Sequence, residues 1–101
     1  MKKKTTSLDE VIGVLVKLKP EIKSTYGVTA IGVFGSIVRG VQAPDSDVDV
    51  VVKMTKPDLF MIVGIKNKLE EKLNRPVDIV TYRENMNKFL KKRIDGEAVY
   101  A

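Results

Sequence analysis

The chain contains neither cysteine nor histidine. The first absence excludes disulfides and thiolate metal sites; the second removes a common zinc ligand and the usual general base. Any chemistry here must rely on carboxylates, backbone amides and a borrowed cation. No apolar run approaches the roughly 20 residues that span a bilayer, and the opening residues lack the apolar stretch of a signal peptide. A cytoplasmic protein is therefore expected. Low-complexity tracts are also missing, and the 101 residues, 44% of them hydrophobic, suffice for one modest core.

The net charge of +5 invites a nucleic-acid reading, but its distribution argues otherwise. Lys2, Lys3 and Lys4 belong to a basic tail, residues 1–6, expected to be disordered; without those three lysines the balance falls to +2. Lys91, Lys92 and Arg93 form a second basic run. Neither run is interleaved with aromatics, so both read as solvated faces, and nucleic acid is not the expected partner.

Residues 7–101 are expected to form a single domain. Ser7 and Glu10 make a capping box. Leu8, Val11, Ile12, Leu15 and Leu18 then recur on one helical face. Pro20 should kink this helix or open a second short one, and Gly27 should end it. Val28 to Phe34 reads as a buried strand, followed by a brief helix from Gly35-Ser36 that stops at Gly40. Val41 to Ser46, with Pro44 and Asp45, reads as a loop. Asp47 to Lys53 should be a strand buried on both faces at Val50-Val51-Val52. Pro57 suits the first turn of a helix whose inner stripe would be Leu59, Ile62, Val63, Lys66, Leu69 and Leu73. Val77 to Thr81 forms another strand. A helix from Asn85 to Ile94 should bury Met86, Phe89, Leu90 and Ile94, with Gly96 as its cap and Ala98-Val99-Tyr100 as an edge strand or docking tail. The order implies an α/β (α+β) fold: a small mixed sheet with helices packed against it.

Three aspartates and one turn stand out. Asp47 and Asp49 lie two apart, so in a strand they point to one face, roughly 5–7 Å from each other. Like charges so placed repel unless a cation intervenes, and Mg²⁺ takes one or two carboxylates together with substrate phosphates. Asp78, flanked by Val77, Ile79 and Val80, either faces solvent or joins such a site. Upstream, Gly35-Ser36 leads a strand into a helix; amides there, with the Ser36 hydroxyl, favour a phosphate. Arg39 could reach a phosphate or a nearby carboxylate. Each feature has a plain structural reading: a strand-to-helix cap, a surface ion pair, solvent-facing aspartates. Their combination fits a two-metal phosphoryl-transfer site.

Gly35-Ser36, ten residues, then Asp47-Val48-Asp49 resembles the signature of the DNA polymerase β-like nucleotidyltransferase superfamily. The fuller string, Gly35-Ser36-x-x-Arg39-Gly40 followed by Ser46-Asp47-x-Asp49, resembles its minimal nucleotidyltransferase (MNT) branch. The ending from Lys92 to Tyr100 is similar to such proteins as well. The resemblance implies a polymerase β-like fold, Asp47, Asp49 and Asp78 as catalytic residues and metal ligands, and two Mg²⁺ ions. Gly35, Ser36 and Arg39 would bind the nucleotide, with ATP as substrate. It further implies transfer of a nucleoside monophosphate to a hydroxyl. Many members of that branch are antitoxins that attach AMP to a tyrosine of a helical HEPN-domain toxin, the arrangement of a type VII toxin–antitoxin system. The alternative is a non-catalytic antitoxin that neutralises its partner by occlusion. A small-molecule acceptor ranks behind protein modification, because no acceptor pocket is legible.

Overall fold

The computed structural model describes residues 7–40 and 47–101. The basic tail and the 41–46 loop lie outside the described residues. The elements run α1 (Leu8–Tyr26), β1 (Val28–Phe34), α2 (Ser36–Arg39), β2 (Val48–Met54), α3 (Leu59–Leu73), β3 (Val77–Thr81), α4 (Lys88–Glu97) and β4 (Val99–Tyr100). Four strands form one mixed sheet in the order β3-β2-β1-β4. β1 runs antiparallel to both β2 and β4, whereas β2 and β3 are parallel and joined through α3. A mixed sheet with packed helices is thus what the chain adopts.

The sheet separates two apolar layers. Val48, Val50 and Val52 point into the larger core with Val11, Leu15 and Ile22 of α1 and Ile65 and Leu69 of α3. Val51 points the other way, onto Phe34 and Ile94 of α4. All of Val50, Val51 and Val52 are fully buried, so the apolar run does mark a strand covered on both faces. Each such valine contributes about 1.5–3 kcal/mol by leaving water, which makes β2 the spine of the molecule.

Local signals explain most boundaries. Ser7 accepts from the Glu10 amide and starts α1; Gly27, at φ 68°, ends it in the left-handed region. α1 continues as one helix through Pro20 rather than opening a second. Pro20 is exposed, and so is Val16, whose carbonyl loses its intrahelical partner at the solvent-facing side. β2 begins at Val48, one residue later than expected. Pro57 lies before α3, not in its first turn, because the Asp58 carboxylate accepts from the Phe60 and Met61 amides and takes the cap position.

The inner stripe of α3 is Ile65, Leu69 and Leu73, with Ile62 and Lys66 half-buried. Leu59 and Val63, expected inside, are exposed. The helix carries apolar residues on several faces, so periodicity alone admits more than one stripe. α4 starts at Lys88, where Asn87 caps the Phe89 and Leu90 amides. Ile94 is buried, Met86 and Leu90 pack partly, and Phe89, expected inside, is 83% exposed. Gly96 lies inside the last turn rather than capping it; Ala98 is the cap, because the chain turns directly into β4.

β4 is the expected short edge strand, and Gly32 admits it. A Cβ at Gly32 would lie 2.7 Å from the Val99 carbonyl oxygen and 2.9 Å from the Tyr100 ring, so any side chain there must push β4 away. Gly32→Val should therefore destabilise the protein by about 1–3 kcal/mol. A urea titration followed by far-ultraviolet circular dichroism would read this as a lower midpoint at unchanged slope; an unaltered midpoint would mean that β4 is not seated against β1.

Candidate active site

The register of β2 decides which carboxylates share a face. Asp49 is the partner of Phe34 on β1 and of Asp78 on β3. Partners on adjacent strands project to the same side, so Asp49 and Asp78 leave the sheet together on the α4 face. Asp47 precedes β2 by one residue and is exposed, and its charge acts on Asp49. Asp78 is likewise exposed, while Asp49 is half-buried. The beginning of β3 is pinned by α3: the Glu70 carboxylate accepts from the Val77 amide at 2.9 Å and from Lys66 Nζ at 2.7 Å. Lys66, then the Val77 amide, holds the Glu70 carboxyl below its usual range. Asp78 is the next residue along.

Asp49 is the strained member. Burial pushes its carboxyl above the usual range, the negative charge of Asp78 and then of Asp47 adds to the rise, and Arg93 and Arg39 pull it back. Among the described residues no group of three Asp, Glu, His or Cys side chains is placed to hold a metal ion by itself. Mg²⁺ takes one or two carboxylates and completes its shell with phosphate oxygens and water. The donor set is all-oxygen and hard, and a dication would relieve the repulsion that burdens Asp49. The residues fit Mg²⁺.

The turn before α2 sits against this cluster. Gly35 adopts φ 83° and ψ −152°, a backbone open essentially to glycine. A Cβ there would collide with Asp49 Oδ2. The helix that follows has four residues, one turn, so its dipole adds little; the turn's amides and the Ser36 hydroxyl are what remain for an anion. Ser36 is half-buried beside them. Arg39 is exposed and reaches a carboxylate, that of Glu97, whose two oxygens lie 3.1 Å from Nη1. Glu97 also accepts from the Gly35 amide at 2.5 Å. Arg93, one turn earlier on α4, completes the cationic side. Neither Glu97 nor Arg93 was singled out as a site residue by sequence reasoning; both lie in the family-like ending, and Arg93 also in the basic run read as a solvated face.

A family model described as nucleotidyltransferase domain matches residues 15–101. The protein adenylyltransferase MntA of Thermococcus cleftensis is 36% identical over 95 residues, covering 93% of this chain and 95% of that protein. A solved structure assigned to the minimal nucleotidyltransferases superposes with a TM-score of 0.75 at 26% identity, covering 93% and 95% of the two chains. The fold also matches, with a TM-score of 0.67 at 19% identity and 92% and 70% coverage, a chain from the complex of tri-AMPylated Shewanella oneidensis HEPN toxin with MNT antitoxin.

The raised Asp49 carboxyl has a consequence for stability. A group whose folded pKa lies above its unfolded one stabilises the fold while protonated, and loses that contribution as pH rises through the folded value. At neutral pH the ionised Asp49 is therefore a burden, and Asp49→Asn should raise the thermal midpoint by a few degrees. The difference should close as pH falls below the ordinary carboxylate range. Thermal melts of both proteins from pH 3 to pH 8 check this; a variant less stable at pH 7 would contradict it.

Proposed function

The chain belongs to the nucleotidyltransferase domain family and is a nucleotidyltransferase, and from that premise we propose that it transfers AMP from ATP to a tyrosine hydroxyl of a helical HEPN-domain toxin. It would act in the cytoplasm as the antitoxin of a type VII pair. The observation that carries the reading is the shared face of Asp49 and Asp78 beside the Gly35 turn. The 36% identical relative named as a protein adenylyltransferase supports AMP as the group transferred, and the AMPylated toxin in the Shewanella complex supports a protein acceptor.

In this reading the triphosphate lies along the Gly35-Ser36 turn, with Ser36 donating its hydroxyl to a phosphate oxygen. Arg39 steadies the turn and lends positive charge. Asp47, Asp49 and Asp78 would hold Mg²⁺, which when bound neutralises the phosphates and polarises the α-phosphate. The acceptor approaches from the open edge at β3, where Asp78 is exposed on the outer strand. The tyrosine oxygen attacks the α-phosphorus, the bond to the β-phosphate oxygen breaks, pyrophosphate leaves, and the hydroxyl proton passes to the Asp78 carboxylate.

Incubating the chain with ATP, Mg²⁺ and the helical partner should add one AMP, or a small multiple, to a partner tyrosine, as read by intact-mass spectrometry and peptide mapping. Asp47→Ala and Asp49→Ala should each lower the rate at least about a hundredfold, a loss in the range reported for removal of key transition-state stabilisation. Neutralisation that persists without nucleotide and in both variants would establish occlusion instead.

A further inference from the structure

Glu97 stands at a junction that the proposed chemistry does not use. It is the last residue of α4, and β4 begins two residues later. Both flanks are anchored: Ile94 is buried under the sheet, and Val99 and Tyr100 pair with Val33 and Gly32 of β1. The C-terminal segment therefore folds back over the strand that leads into the glycine turn. It delivers a carboxylate, 20% exposed, to the turn itself.

That carboxylate meets three donors. Oε2 accepts from the Gly35 amide at 2.5 Å, Arg39 Nη1 bonds both oxygens at 3.1 Å, and Arg93 Nε lies 4.0 Å from Oε1. On the other side of Gly35 stands Asp49, so the turn is clasped between two carboxylates. One of these belongs to the aspartate cluster. The other, Glu97, ties the turn to α4 and holds both arginines that oppose the charge on Asp49. Charge-assisted bonds of this kind are about twice as strong as neutral ones.

We infer that Glu97 is a positioning residue for the nucleotide: it occupies the Gly35 amide, fixes the turn, and aims Arg39 and Arg93. The phosphate donors of the turn then begin at Ser36, not at Gly35. This rests on the nucleotidyltransferase reading for the identity of the ligand, ATP–Mg²⁺, but not on the identity of the acceptor. A nearby misplacement of about 1 Å is enough to weaken a bound, oriented group substantially.

The test uses the chain alone, with ATP–Mg²⁺ affinity measured by titration calorimetry and thermal midpoints measured alongside. Glu97→Ala should weaken affinity by about tenfold, the loss of one charge-assisted contact network. Glu97→Gln, whose carbonyl can still accept from the Gly35 amide, should recover most of that loss at a similar thermal midpoint. Three results would overturn the inference: affinity of the alanine variant within about twofold of the parent, tighter binding by it (a carboxylate that competes with the triphosphate), or a glutamine variant no better than alanine. If the alanine variant does not fold, a tenfold loss in the glutamine variant overturns it as well. Because no acceptor is present, failure to AMPylate a partner would defeat the protein-modification reading and leave this one standing. A parent chain that binds no ATP–Mg²⁺ would defeat both.

Discussion

Asp49 is placed by a strand that cannot move. Val48, Val50 and Val52 are sealed beneath α1 and α3, Val51 is sealed beneath α4, and neighbouring strands flank β2 on both edges. Slipping β2 by one residue would turn every one of those valines to the opposite layer. The same constraint fixes Asp49 opposite Phe34 and beside Asp78. The carboxylates thus inherit their register from apolar packing several residues away, and the site needs no bonding among its own acidic groups to stay assembled.

What those groups do need is charge balance. Burial and two acidic neighbours raise the Asp49 carboxyl, and among the described residues the guanidinium groups of Arg93 and Arg39 oppose the rise. Both arginines are shared with Glu97. One side of the cluster is therefore negative and open toward β3; the other is a knit of arginine, glutamate and backbone amide. A metal–nucleotide complex presents the complementary distribution, cationic toward the aspartates and anionic toward the arginines and the turn. The half-buried position of Asp49 disfavours its charged form, and a cation placed beside it would act through the same water-poor surroundings.

Much of this was legible in the sequence where a local signal was strong. β1 ends where Gly35 follows Phe34, because the backbone there adopts a conformation other residues avoid. Alternation would put Asp47 and Asp49 on one face only if both lay in the strand, and β2 begins at Val48, after Asp47; Val77 to Thr81 was a largely apolar run between Pro76 and a polar loop. Registers were not legible. That Asp78 stands beside Asp49 depends on how far α3 carries the chain and on the Glu70 contact to Val77. Helix faces were read wrongly where apolar residues surround the axis, as at Ile65, and at Phe89, which faces solvent from α4. Glu97 escaped because its partner, Gly35, is 62 residues away, and no periodicity links them.

The segment from α4 into β4 also shows how the glycine turn is held. A one-turn helix such as α2 has too few internal hydrogen bonds to hold a strained glycine turn by itself. The turn is held from outside instead, by Asp49 packed against it from β2 and by Glu97 bonded to it from α4. Gly32 lets β4 lie close enough to β1 for Glu97 to arrive at the right height. The two glycines, Gly32 on β1 and Gly35 in the turn just after it, therefore serve one purpose: the first makes room for the chain that carries the brace, and the second adopts the backbone that the brace secures. Two elements of ordinary stability then fix a conformation that neither α2 nor the turn could maintain alone.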